Sequence, residues 1–140
     1  MSDARLSAGQ IQAIFDASPF LGFLRLTVVA LDHDAGTLTV SMPIRPEFER
    51  RLGTGQFHGG AIAAFIDVVG DFAVGMAVGG GVPTINLRVD YLRPAVGGVL
   101  TGTARVRRAG RTVALVDVDV YDEERALVAV GRGTYSGQPG

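Results

Sequence analysis

Polar and apolar positions change period several times along this 140-residue chain. Ser7 to about Ala17 places Ile11, Ile14 and Phe15 on one helical face, with Ser7 as cap and Ser18-Pro19 as the stop. Phe20 to Asp32 is rich in Leu and Val and reads as a strand, followed by a turn at Asp34-Ala35-Gly36. Thr37 to Met42 then alternates, with Leu38, Val40 and Met42 facing one way and Thr37, Thr39 and Ser41 the other, as in a half-buried antiparallel strand. Pro43 to Phe57 is irregular and charged. From His58 to Val78 the chain is almost wholly apolar with two charges, Asp67 and Asp71, which predicts a buried helix. Gly79-Gly80-Gly81 stops it.

Period-two alternation returns in Pro83 to Leu92 (Ile85, Leu87, Val89 and Tyr91 on one face), Val99 to Arg108, Thr112 to Tyr121 and Ala126 to Tyr135. Gly137 to Gly140 reads as a loose tail. One long apolar helix among runs of antiparallel strands predicts an α+β fold, with about five to six strands wrapped round that helix. The chain reads as one domain over 1–140, with 1–18 as an N-terminal helical segment and no internal repeat.

Composition narrows the chemistry. Hydrophobic residues make up 47 % and charged residues 19 % of the chain, enough apolar content for a core at this length. The net charge of −1 predicts no nucleic-acid or anionic-membrane partner. All 13 basic residues are Arg. The absence of Cys excludes a disulfide scaffold, a thiolate nucleophile and Cys-ligated zinc, and two His, His33 and His58, are too few for a histidine-rich metal site. No metal or cofactor is expected. The N-terminus has no signal-peptide pattern, and Asp67 and Asp71 interrupt the run that would otherwise resemble a membrane span. A soluble cytoplasmic protein is the expectation.

The start of the long helix concentrates the candidate chemistry. A first helical turn presents unpaired N–H groups at the positive end of the dipole, and Gly59 and Gly60 carry no side chains to block approach. Such an end can hold a developing oxyanion. Asp67 follows eight residues after Gly59, and Asp71 shares its face one turn on. Two buried carboxylates there raise each other's pKa. The residues alone leave Asp67 open as a structural carboxylate or a reactive one, and Asp71 reads first as structural.

The run Gln56-Phe-His-Gly-Gly-Ala-Ile-Ala-Ala-Phe-Ile-Asp67, the stretch Thr84 to Tyr91-Leu-Arg-Pro94, and the Gly110-Arg111 turn together resemble the hotdog-fold acyl-CoA thioesterases of the phenylacetate-degradation (PaaI) type. The resemblance spans about residues 20–135. It implies a curved antiparallel sheet round one helix. It also implies that Asp67 attacks the thioester or activates water, that the Gly59 N–H polarises the carbonyl, that His58 shapes the turn, and that Thr84 helps place water. It further implies a site formed between two protomers, hence a homodimer at least and commonly a homotetramer.

The family's usual Asn or Gln seven residues before Gly59 is Leu52 here, with Gln56 as the substitute. Gly60, Arg93, Arg111 and Arg108 are the candidates for coenzyme A, with Arg132 beside them, because Arg is the natural phosphate contact. The expected activity is hydrolysis of an acyl-CoA thioester. The alternatives are a non-catalytic acyl-CoA or acyl-carrier-protein binder and, last, a dehydratase that would need a His opposite an acidic residue.

Overall fold

A computed structural model describes residues 3–140; Met1 and Ser2 of the predicted N-terminal segment lie outside the described residues. Helix α1 (Ala8–Ala17) opens on a reciprocal cap. Ser7 Oγ accepts from Gln10 N at 3.1 Å, and Gln10 Oε1 accepts from Ser7 N at 2.8 Å. Its buried residues, Ile11 and Phe15, reach the core, where Phe15 meets Phe72 edge to face at 5.0 Å.

The first half of the predicted Phe20–Asp32 strand is a helix instead. Pro19 ends α1 and also opens α2 (Pro19–Leu24) from its first turn, where a missing N–H costs nothing. Arg25 closes α2 in the left-handed region at φ 56°, and strand β1 (Thr27–Asp32) begins only after it. Strand β2 (Thr37–Pro43) buries Leu38, Val40 and Met42, as its alternation predicts.

The long apolar segment is helix α3 (Gly59–Val78), which packs on the sheet and buries Ile62, Phe65, Ile66, Val69, Phe72 and Met76. It is long and apolar enough to span a membrane, yet most of it is buried inside the domain. Strands β3 (Thr84–Tyr91), β4 (Val99–Ala109), β5 (Val113–Tyr121) and β6 (Leu127–Ser136) follow. All pairings are antiparallel, in the order β1-β2-β4-β5-β6-β3. This is the expected α+β hotdog arrangement of six strands and one central helix.

Two edges bound the sheet, β1 and β3, and they behave differently from the inner strands. On β3, Leu87 and Val89 are half-buried, but Ile85 is 60 % and Tyr91 52 % exposed. The predicted apolar face is therefore only partly covered. A register shift between Thr84 and Asn86 breaks the alternation at Ile85, and an edge strand has a neighbour on one side only. The last residues, expected to be loose, are tied down: Gly137 N donates to Thr112 O at 2.8 Å and Gly140 N to Gly81 O at 3.0 Å.

Candidate functional site

The approach to α3 is held from two sides. Phe57 N donates to Ala95 O at 2.8 Å and His58 N to Phe48 O at 2.7 Å. His58 is the N-cap: its Nδ1 accepts from the Gly60 N–H at 2.9 Å, which leaves the ring proton on Nε2. The one backbone donor of Gly60 is thereby engaged within the turn, so Gly60 adds only its lack of a side chain. The Gly59 N–H has no hydrogen-bond partner among the described residues.

Tyr91 reaches across from the end of β3 and fixes the other side of this peptide. Its hydroxyl donates to Gly59 O at 2.7 Å, and a Cβ at Gly59 would stand 3.3 Å from the phenol ring. An open groove of about 310 Å³ lies beside the turn, and its lining includes Gln56, Gly59, Ile62, Tyr91, Arg93 and Arg50. Of the predicted residues, Gln56, Gly59 and Arg93 are thus brought together. Arg50 is an addition; it sits in the charged 43–57 stretch, whose pattern gives no sign that it faces the helix start.

The second half of the site lies two turns along α3. Asp67 is half-buried, and its Oδ1 accepts from the Thr84 hydroxyl at 2.7 Å. The Tyr135 hydroxyl, from β6, donates to the backbone oxygen of Asp67 at 3.1 Å. Tyr135 is fully buried, and burial raises its phenol pKa, so it stays a donor. Sequence reasoning missed Tyr135, which reads there as one more apolar strand position. Asp71, one turn further, accepts from Val82 N at 2.7 Å, and burial pushes its carboxyl up to about 7.

Eight residues of helix separate the Gly59 turn from Asp67, a rise of about 12 Å at 1.5 Å per residue. Within one chain the free N–H and the carboxylate are therefore too far apart to hold the same carbonyl group.

The remaining candidates are dispersed. Arg111 sits in the β4–β5 turn, where its backbone oxygen accepts from Gln138 Nε2, and Arg108 lies beside the bulge of β4. Neither borders the groove at Gly59. Arg132 is on the sheet face opposite α3 and makes two bonds to Asp117, at 2.7 and 2.9 Å. Leu52 is 78 % exposed on the loop and contributes no polar group. His33 Nε2 bonds to Leu6 O at 2.8 Å in the β1–β2 turn, at the opposite edge of the sheet from β3, so no His faces Asp67. Two larger hollows, of 480 and 660 Å³, lie on the outer sheet face among Arg88, Asp117 and Arg132 and among Thr101, Tyr121 and Arg125.

Comparison with known proteins agrees with this arrangement. The family model described as "Thioesterase superfamily" matches residues 54–129, which takes in α3, most of the sheet and the groove beside Gly59 apart from Arg50. A Halobacterium salinarum protein named as a candidate esterase is 36 % identical over 95 % of this chain and 93 % of its own length. The medium/long-chain acyl-CoA thioesterase YigI of Escherichia coli is 37 % identical over 56 % of this chain and 60 % of its own. A crystal structure of a protein described as from the thioesterase superfamily superposes with a TM-score of 0.85 at 30 % identity, covering 96 % of this chain and 98 % of that one. The chain belongs to the thioesterase superfamily.

Proposed function

We propose that this chain hydrolyses acyl-CoA thioesters to a free acid and the CoA thiol, with Asp67 as the reactive carboxylate and the Gly59 N–H as the oxyanion donor. The observation that carries this reading is the Thr84–Asp67 hydrogen bond, on the same helix whose first turn leaves the Gly59 N–H free above a groove. Thr84 holds one carboxylate oxygen, and the other is left for chemistry. Asp67 either attacks the carbonyl carbon, forming an anhydride that water cleaves, or takes a proton from the attacking water. In both routes the carbon–sulfur bond breaks, and the thiolate leaves and is protonated. The helix end at Gly59 stabilises the oxyanion through its N–H and its dipole.

The 12 Å rise between these groups supports a site completed by a second copy, with Gly59 of one protomer facing Asp67 of the other. Edge strand β3 supports the pairing, because its outer side has no neighbour among the described residues, Ile85 and Tyr91 stand more than half exposed on it, and Leu92 and Val96 stand at least half exposed in the segment that follows. Two such dimers would give the homotetramer. Arg93 and Arg50 at the groove suit the phosphates of coenzyme A, and Gln56 offers the amide that Leu52 lacks. The similarity to YigI supports acyl-CoA as the substrate class.

Hydrolysis of a panel of short-, medium-, long-chain and aromatic acyl-CoA esters by wild type and Asp67→Ala, followed by thiol release, tests the reading. Turnover by wild type and its loss in the variant are expected. Tight binding of a thioester without thiol release would favour the non-catalytic alternative, for which the exposed Leu52 speaks.

A further inference from the structure

The chemistry above leaves Asp71 without a part, although it is the second carboxylate on the same face of α3. The path of the chain after α3 gives it one. Gly79, at φ 98°, and Gly80 both donate their N–H to Gly75 O, at 2.9 and 3.1 Å, and the backbone doubles back along the helix. A Cβ on Gly81 would stand 3.6 Å from Asp71 Oδ1, so the returning strand lies close against that carboxyl. Val82, buried, then donates its N–H to Asp71 Oδ1 at 2.7 Å, and two residues later Thr84 donates its hydroxyl to Asp67. The returning chain is thus fastened to successive turns of α3 at residues 75, 71 and 67.

We propose that Asp71 is a positioning residue for the thioesterase site: by holding the Val82 N–H it sets the entry of strand β3 so that the Thr84 hydroxyl meets the Asp67 carboxylate. This rests on the reading of Asp67 as the reactive group. A buried N–H that loses its acceptor costs free energy, and the strand shifts to find another partner. A displacement of a fraction of an ångström at Thr84 is enough to weaken a bond that positions a reacting group. The acceptor works whether or not the carboxyl is ionised, because a carbonyl oxygen remains in either form. The ionisable groups facing Asp71 are Asp67 on its own helix and Tyr135 from β6; no Arg or His pairs with it among the described residues. Burial favours its uncharged form, which spares Asp67 a second negative charge one turn away.

The test uses Asp71→Ala, Asp71→Asn, Thr84→Val, Asp71→Ala with Thr84→Val, and Asp67→Ala, assayed on the acyl-CoA ester that wild type turns over fastest. The inference expects Asp71→Ala to lower kcat about tenfold at nearly unchanged KM, and Asp71→Asn, which keeps the acceptor oxygen, to restore most of it. It also expects the double variant to be no slower than Thr84→Val alone, since both changes break one link. Independent, multiplying losses, or an Asn variant as slow as the Ala one, would overturn it. An inactive Asp67→Ala beside an Asp71→Ala at wild-type kcat sinks the inference alone. A fully active Asp67→Ala sinks the proposed function and this inference with it.

Discussion

The Thr84 hydroxyl donates to the Asp67 carboxylate at 2.7 Å, joining edge strand β3 to the middle of helix α3 across 17 residues of chain. A hydrogen bond to a charged group contributes about 1.5–3 kcal/mol, so Thr84→Val is expected to lower kcat by roughly 10- to 100-fold. Thr84→Ser keeps the hydroxyl and is expected to stay near wild type. Steady-state thiol release decides it, and equal rates for Val and Ser variants would remove Thr84 from the site.

The separation of Gly59 from Asp67 makes a mixing experiment decisive. Gly59→Pro removes the free N–H at the first helical position, which tolerates proline. Asp67→Ala removes the carboxylate. Each variant alone is expected to be inactive. Unfolded and refolded together, they form mixed dimers with one intact site in two, and about a quarter of wild-type activity is expected to return if each site spans two protomers. No recovery, with mixed dimers shown to form, would place each site within one protomer.

Tyr135 occupies space that Gly70 and Gly133 leave open. A Cβ at Gly70 would overlap the Tyr135 ring and hydroxyl. Gly70→Ala is therefore expected to destabilise the fold by about 1–3 kcal/mol in urea unfolding. Tyr135→Phe is expected to cost about 1 kcal/mol, by removing the bond to Asp67 O. Combined, the two changes should cost less than their sum, because the missing hydroxyl relieves the overlap. A strictly additive double variant would mean that the two sites do not touch.

Asp71 makes stability depend on pH in a definite direction. Its carboxyl lies at about 7 in the fold against an ordinary 3.8, raised by burial despite the Val82 N–H. Between those values the folded protein holds a proton that the unfolded chain releases, so stability falls as pH rises through this window. The advantage of the protonated form is complete below the lower value and spent above the upper one. Asp71→Asn cannot ionise and keeps the acceptor, so its urea midpoint should decline less over the same range. Parallel midpoint curves for the two proteins would contradict the assignment.

The helix from Gly59 to Val78 and the alternation of Thr37 to Met42 were legible because each depends on a period within one segment. Phe20 to Leu24 was not. A short apolar run has no period to distinguish strand from helix, and Pro19, read as a stop, also serves as a start. Alternation places Ile85 and Tyr91 on one face with Leu87 and Val89, but it does not tell an edge strand from an inner one, so their exposure is not legible in it.

The sequence by itself determined the order of elements apart from helix α2, the α+β class, the helix that begins at His58-Gly59-Gly60 and the two carboxylates on one of its faces. These follow from local spacing, capping and burial preference, which act over a few residues. Tertiary structure decided the partners: Thr84 and Tyr135 at Asp67, Val82 at Asp71, Arg50 and Arg93 at the Gly59 groove, and Arg132 on the far face against Asp117. Those contacts join residues 11 to 68 positions apart, or gather a groove from separate segments, and follow from sheet order, register and the reversal at Gly79. No periodicity within one segment encodes where another segment will lie.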